Sequence, residues 1–307
     1  MNEGLNAAEL AIRIARCRVN SHINNRVIVI INSFRWSEFA VLLLSDLQRL
    51  NPLERRWLQL FLVIILSTTV WFSWQGTDWQ SGQSILLNWL VSPISAISGV
   101  LCVVMVAKGL LSNWIWGLIS ASTYGFLAWK SGYYGDWLIN WFYFLPAQFF
   151  IYFTWRHHLA SSTQIILMRR LGWHWLWLVV LVLVAIGLLA GMLQHLDGFF
   201  SDALKRNSAV YDSLATLTGF SWSGPLLDSC TVILQITAQL LMIRMFAAQW
   251  PFWILTNILT MFAWALVLAT DPSSAPYAVP TLIMWGAFLL NSVYGAISWH
   301  KGAQQND

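Results

Sequence analysis

Charged residues are scarce in this sequence. Lys, Arg, Asp and Glu together make up 10% of the 307 residues, against about a quarter in soluble domains. Hydrophobic residues make up 58%, and the mean hydropathy is +0.60. The apolar runs do not alternate with polar residues, as transmembrane strands would. We therefore expect an all-α integral membrane protein.

Sites for covalent or metal chemistry are also missing. The three cysteines, Cys17, Cys102 and Cys230, are too few and too scattered for a disulfide framework or a Cys-rich metal site. The sequence contains no P-loop, no HExxH and no intramembrane Ser/His/Asp arrangement, which argues against an ATPase, a zinc protease or an acyl hydrolase. We expect no enzyme activity, no cofactor and no metal.

Acidic residues are missing from the centres of the apolar runs. Asp228 is the one acid inside a predicted repeat helix, and it lies about one turn from the outer end of that helix. Asp136 falls in an outer turn. A buried carboxylate relay of the kind that proton-coupled pumps use is therefore not expected, and ion coupling is disfavoured.

Eight apolar runs predict membrane-spanning helices, because about 20 apolar residues are needed to cross the hydrocarbon layer. The runs lie at about 57–74, 89–107, 114–130, 137–155, 173–194, 225–243, 250–269 and 277–299. Residues 1–56 form a basic extension, predicted to lie on the cytoplasmic membrane surface, with partial disorder as the alternative. No cleavable signal peptide is expected.

Basic residues predict the orientation of the spans. With the N-terminus inside, only Lys130, Lys205 and Arg206 fall on the outer face, and all other Lys and Arg residues fall on the inner face. This bias predicts that both termini are cytoplasmic. It also explains the net charge of +4 without a nucleic-acid partner.

The chain contains an internal repeat. A shift of 136 residues aligns Lys108 with Arg244, Ser92 with Asp228 and Trp114 with Trp250. One extra residue then aligns Trp116 with Trp253 and Ser120 with Asn257, and seven more align Trp141 with Trp285, Phe144 with Phe288 and Trp155 with Trp299. The fold prediction is two three-helix repeats, 89–155 and 225–299, made parallel by a linker helix at 173–194, plus an extra N-terminal transmembrane helix at 57–74. Such repeats are typical of transporters, and a duplicated structural bundle is the alternative.

Polar side chains recur in the repeat helices, where an unpaired amide costs a few kcal/mol in hydrocarbon. They must face protein, water or ligand, and hydrogen bonding between helices is the alternative to ligand binding. Asn140 and Gln148 are eight residues apart, within about 80° around one helix, and share that side with Phe144. One face thus combines two amides and an aromatic ring.

Three stretches of the chain resemble the PnuC family of bacterial nicotinamide riboside transporters. They read GVLCVVMVAKGLLSNWIWGLISASTYGFLAWKSGYYGDW, NWFYFLPAQFFIYFTW and LLDSCTVILQITAQLLMIRMFAAQWPFWILTN, and the resemblance covers about 89–299. It implies a SWEET-like three-one-three arrangement, a homotrimer in the bacterial inner membrane, and facilitated diffusion of the riboside. Intracellular phosphorylation would then trap the product. Family members suspected of carrying thiamine or riboflavin keep those vitamins open as alternatives.

The hypothesis is a uniporter whose amides and hydroxyls bind ribose and carboxamide while deep aromatic rings pack on the cationic pyridinium. The predicted substrate-binding residues are Trp116, Ser120, Tyr124, Asn140, Tyr143, Phe144, Gln148, Asp228, Gln235, Asn257, Trp285 and Asn291. The rival from another class is a non-transporting membrane subunit that docks a cytoplasmic partner through its basic N-terminus.

Overall fold

The structure is a computed structural model that describes residues 36–161, 172–204 and 208–306. Most of the predicted basic surface segment therefore lies outside the described residues. The chain divides into two units, residues 1–49 and 50–307. In the first unit, helix α1 spans Trp36–Gln48, and Arg49 forms an ion pair of 3.6 Å with Asp46.

All the long elements of the second unit are helices. They are α2 (Pro52–Gly76), α3 (Gly82–Ala107), α4 (Asn113–Ser131), α5 (residues 134–161), α6 (Trp175–Leu204), the short α7 (Ala209–Thr218), α8 (Ser223–Ile243), α9 (Gln249–Thr270) and α10 (Ala275–Asn306). Short 3₁₀ turns, Gly172–His174 and Pro272–Ser274, precede α6 and α10.

Six of these helices are long and apolar enough to cross a membrane, which confirms the all-α membrane fold. They are α2, α3, α6 with its preceding turn, α8, α9 and α10 with its preceding turn. Helices α4 and α5 occupy the predicted spans 114–130 and 137–155 but carry more polar residues. The extra N-terminal span begins at Pro52 rather than at residue 57, because Asn51 and Glu54 form a capping box at its start.

Six helices of the second unit pack in a closed ring. Helix α3 contacts α4, α4 contacts α5, α5 contacts α8, α8 contacts α9, α9 contacts α10, and α10 returns to α3. Helix α2 packs outside the seam between α3 and α10, and α6 packs on the outside of α8. The ring therefore consists of the helices that the sequence assigns to the two repeats.

Two turns of the ring have the same backbone geometry. Gly109 has φ of 66° and Met245 has φ of 61°, and each follows the last turn of a helix. In the first turn, Leu110 N donates to Met105 O at 2.8 Å. In the second, Phe246 N donates to Leu241 O at 2.9 Å. Both are Schellman C-caps, and every residue of one lies 136 positions before its counterpart.

Two helices of the ring are widened by one π turn, and each π turn is followed by a proline. The π turn Leu87–Val91 of α3 precedes Pro93, and the π turn Asn140–Phe144 of α5 precedes Pro146. Because proline lacks an N–H and crowds the preceding turn, a wider turn accommodates its ring.

Candidate functional site

A cavity lies inside the ring of six helices. The space open to the centres of water-sized molecules measures about 110 Å³, several times what one ordered water needs. Each ring helix contributes at least three lining residues, and α2 and α6 contribute none. The wall comprises Gly99, Cys102, Val103, Val106, Gly117, Ser120, Ala121, Tyr124, Asn140, Phe144, Gln148, Gln235, Gln239, Met242, Trp250, Trp253, Asn257, Met284, Trp285, Phe288 and Ser292.

The wall follows the internal repeat of the sequence. Seven pairs of residues that the repeat alignment matches line the cavity with both members: Gly99 with Gln235, Val103 with Gln239, Val106 with Met242, Ser120 with Asn257, Asn140 with Met284, Phe144 with Phe288, and Gln148 with Ser292. The cavity therefore lies between two similar halves whose side chains differ. In five of the seven pairs, an amide in one half corresponds to a smaller or apolar side chain in the other.

Several polar atoms in the wall are buried without a hydrogen-bond partner among the described residues. Four of them are Gln148 Oε1 and Asn257 Oδ1, which accept, and Gln239 Nε2 and Trp250 Nε1, which donate. Buried polar atoms in native proteins are nearly always hydrogen-bonded. A polar ligand or water in the cavity would satisfy these four atoms.

Aromatic rings supply much of the remaining wall. They belong to Tyr124, Phe144, Trp250, Trp253, Trp285 and Phe288. Trp285 meets Tyr124 edge to face, with ring centroids 5.6 Å apart, and lies 5.0 Å from Phe288. Such walls bind planar rings, and they favour cations over the ring faces.

Charged side chains are absent from the wall. None of the described residues that line the cavity is Lys, Arg, His, Asp or Glu. Anionic groups such as phosphate are usually bound by Arg, Lys or a helix N-terminus. The cavity thus suits an uncharged or cationic ligand.

A buried carboxylate lies directly behind this wall. Asp136, in the first turn of α5, is 3% exposed. It accepts a hydrogen bond from the Tyr124 hydroxyl at 2.7 Å and another from Gln235 Nε2 at 2.8 Å. Trp264 Nε1 donates to the Tyr124 oxygen at 2.9 Å. Two wall residues are therefore held in place by one carboxylate.

A second carboxylate caps α5 from another helix. Tyr133, at the N-cap position of α5, makes no side-chain cap, and Asp228 of α8 takes that role. It accepts from Gly135 N at 2.9 Å and from Asp136 N at 3.3 Å, where the helix dipole favours negative charge. A Cβ on residue 135 would lie 2.6 Å from Asp228 Oδ1, so this close approach requires glycine.

Tyr211 of the short helix α7 completes the cap. Its hydroxyl donates to Asp228 Oδ2. Burial, and then the neighbouring Asp228 carboxylate, raise the pKa of Tyr211 well above its usual range. The hydroxyl therefore keeps its proton and serves as a donor. Helices α5, α7 and α8 are joined at this one carboxylate.

The structure brings eight of the twelve predicted site residues to the cavity: Ser120, Tyr124, Asn140, Phe144, Gln148, Gln235, Asn257 and Trp285. The other four lie elsewhere. Asp228 forms the cap, Asn291 donates to Val103 O at 2.7 Å, and the Tyr143 hydroxyl donates to Ile236 O at 3.4 Å. Trp116 is half-buried outside the wall.

The sequence prediction did not include thirteen of the 21 wall residues or Asp136 behind the wall, and four of these residues are polar or aromatic groups with a signal in the sequence. Trp253 is the repeat counterpart of Trp116, and Gln239 is a polar residue within a repeat helix. Trp250 is the repeat counterpart of Trp114 and is 2% exposed. Asp136 was placed in an outer turn, because the preceding Lys-Ser-Gly-Tyr-Tyr-Gly run is typical of exposed loops.

The comparisons with known proteins identify the family. The profile described as "Nicotinamide mononucleotide transporter" matches residues 88–301. A protein of Haemophilus influenzae named nicotinamide riboside transporter PnuC is 34% identical over 256 residues, covering 82% of this chain and 91% of that protein. A protein of the same name from Neisseria mucosa is 34% identical over 218 residues, covering 70% and 73%.

A solved structure agrees with these sequence matches. The structure described as the vitamin B3 transporter PnuC superposes with a TM-score of 0.63 at 30% sequence identity, covering 84% of this chain and 94% of that one. With the ring of membrane helices and its central cavity, these matches show that the chain belongs to the PnuC family of multi-pass membrane transporters.

Proposed function

We propose that this protein carries nicotinamide riboside across the bacterial inner membrane. The observation that carries the proposal is the cavity at the centre of the ring, with unpartnered amides, aromatic rings and no charged side chain in its described wall. The names of the relatives support the same substrate. No chemical step is part of this function.

The riboside suits the cavity better than the mononucleotide that the family description names. The two ligands differ by one phosphate, which needs donors of positive charge. The wall offers amides and indole N–H groups instead. These groups can bind ribose hydroxyls and the carboxamide, while the rings of Phe144 and Trp285 pack on the pyridinium.

Transport then follows from the two similar halves around one site. We infer that residues 89–155 and 225–299 act as parallel repeats, linked through 173–194, which rock about the cavity to open it to each side in turn. The paired Schellman turns and the seven matched wall pairs support this repeat. Uniport with both termini cytoplasmic, trapping of the product by phosphorylation, and a homotrimer complete the proposal.

Binding measurements on the purified protein test the substrate. Titration calorimetry should detect nicotinamide riboside and give at least about ten-fold weaker binding of the mononucleotide, because no wall residue pairs the phosphate. Thiamine and riboflavin belong in the same series, since both stay alternatives. Tighter binding of the mononucleotide or of either vitamin would reject the riboside as substrate.

A matched pair of variants locates the site. Gln148→Ala removes a wall amide and should weaken riboside binding, whereas Gln194→Ala removes an amide from α6, outside the ring. An equal effect of the two variants would move the site elsewhere. Deleting residues 1–49 tests the docking alternative, because uptake should survive the deletion if the second unit alone carries transport.

A further inference from the structure

We propose that Asp136 makes the cavity selective for a cation. This inference rests on the proposed function, since the pyridinium ring of nicotinamide riboside carries a positive charge. The charge of Asp136 would favour the oxidised, cationic ring over a neutral ring of nearly the same shape. Asp136 is thus a specificity-determining residue that acts from behind the wall.

The position of Asp136 places its charge next to the ligand. Both of its side-chain partners, Tyr124 and Gln235, line the cavity, so one layer of side chains separates the carboxylate from the ligand. In the low-dielectric interior of a protein, a charge one layer of side chains away acts more strongly on a ligand charge than it would in water. Tyr124 and Gln235 are neutral and donate their hydrogen bonds to Asp136. They therefore place no positive charge between the carboxylate and the ligand.

No basic side chain neutralises Asp136. Within the described ranges, neither Asp136 nor Asp228 forms an ion pair with Lys, Arg or His. A buried charge is costly unless it is paired. A cationic ligand in the adjacent cavity would supply the missing positive charge.

Asp228 differs from Asp136 in this respect. It accepts two backbone N–H groups at the start of α5 and the hydroxyl of Tyr211. The positive end of the helix dipole therefore compensates its charge. Asp136 lies in the same first turn of α5, but its two side-chain donors, Tyr124 and Gln235, are neutral side chains that line the cavity.

Two ligands of similar shape test the proposal. Nicotinamide riboside is a cation, and 1,4-dihydronicotinamide riboside is its neutral reduced form. Wild-type protein should bind the cation more tightly. Asp136→Asn keeps the shape of the side chain and should lower that preference about ten-fold by weakening binding of the cation. Binding of the neutral ligand should change little.

Gln148→Ala serves as the control, because loss of a neutral amide should weaken both ligands alike. Aromatic rings also favour cations, so the change caused by Asp136→Asn is the decisive quantity. Asp136→Ser, which also removes the charge and leaves room for a water between Tyr124 and Gln235, replaces Asp136→Asn if that variant does not fold.

The outcomes separate the two proposals. An unchanged preference in the Asp136 variant, with riboside binding intact in the wild type, overturns the role of Asp136 alone. A wild-type protein that binds the neutral form as tightly as the cation also overturns it. Failure of the wild type to bind either riboside overturns the proposed function itself.

Discussion

Gln148 reaches the cavity because residue 117, on the neighbouring helix α4, has no side chain. A Cβ on Gly117 would lie 2.5 Å from Gln148 Oε1 and 2.9 Å from its Nε2. These atoms belong to the flexible end of a long side chain, so the amide can move while the backbones stay in place. The position of this amide therefore depends on a glycine that makes no polar contact itself.

Gly117→Ala should displace the Gln148 amide and weaken riboside binding about five- to ten-fold, the value of about one hydrogen bond. Calorimetric titration measures the affinity, and a thermal melt checks that the fold persists. The control is Gly191→Ala in α6, where an added Cβ meets no atom within 4 Å. Equal affinity in wild type and Gly117→Ala would show that Gln148 does not bind the ligand.

Residue types in the membrane could be predicted from the sequence, but their partners could not. The cost of an unpaired amide in hydrocarbon predicts that Asn140, Gln148 and Asn291 need a partner. Asn291 finds that partner in the carbonyl of Val103 on another helix, whereas Oε1 of the wall residue Gln148 has no hydrogen-bond partner among the described residues. Whether an amide finds a partner in the protein depends on which residue packs against it. That is set by the tertiary structure.

At the scale of the element, the π turn of α5 aligns the site. In a regular helix, the side chains of Asn140 and Gln148, eight positions apart, would point about 80° apart around the helix axis. The π turn Asn140–Phe144 absorbs one residue, so the two amides are separated as if by seven residues, or about 20°. Helical periodicity places Asn140 and Gln148 on one side of α5. The π turn, which that periodicity does not predict, brings the two amides closer together around the helix.

Pro146→Ala should restore a regular helix, because Ala supplies the missing N–H and removes the ring. The angle between Asn140 and Gln148 around the helix would then grow from about 20° to about 80°. Riboside binding should fall at least ten-fold while the protein stays helical. Circular dichroism and calorimetry measure the two properties. Pro280→Ala in α10, a proline within a helix that shows no π turn, is the matched control. Wild-type affinity in Pro146→Ala would refute a role for the π turn.

A buried carboxylate of α2 contacts both halves of the ring. Glu54 is 7% exposed and lies 3.1 Å from Lys108 Nζ, at the end of α3. The hydroxyl of Tyr294 on α10 also donates to Glu54. Because Lys108 and Tyr294 belong to different halves of the ring, Glu54 holds both halves at this end.

A double-mutant cycle measures the strength of this contact. Glu54→Gln and Lys108→Met should couple by about 1–2 kcal/mol in unfolding free energy, less than a fully buried pair because the lysine is 28% exposed. The ion pair of Asp46 with Arg49, whose arginine is 65% exposed, should couple far more weakly. Additive effects of the Glu54 and Lys108 variants would show that the pair contributes nothing.

At the scale of the whole molecule, the two halves of the ring meet at one cavity. The repeat is predicted from shifted Lys, Trp and Phe positions, and two of the pairs that it predicts, Ser120 with Asn257 and Phe144 with Phe288, line the cavity with both members. The closed order of the helices could not be predicted, because nothing in the sequence states that α5 packs on α8 and α10 on α3. The cap of α5 by Asp228 likewise depends on that closure.

Among the described residues, six helices are strongly apolar, whereas the sequence predicts eight spans. Helices α4 and α5 carry Ser120, Tyr124, Asn140 and Gln148 in the cavity wall, which lowers their hydropathy. Helices α2 and α6 face the outside of the ring, and α6 is buried over only 17% of its apolar window. Of the six spans, α6 has the highest mean hydropathy, 2.9, but α2, also outside the ring, has 1.6 and the ring helix α3 has 2.3. Position outside the ring alone therefore does not set how apolar a helix is.

The most direct test of the account is uptake of labelled nicotinamide riboside into proteoliposomes that contain the purified protein. We expect saturable uptake that stops when the inner and outer concentrations are equal, with no effect of an imposed proton or sodium gradient. Preloading with unlabelled riboside should accelerate entry of the label. No protein-dependent uptake, or accumulation above the outer concentration driven by either gradient, would contradict a uniporter for this cation.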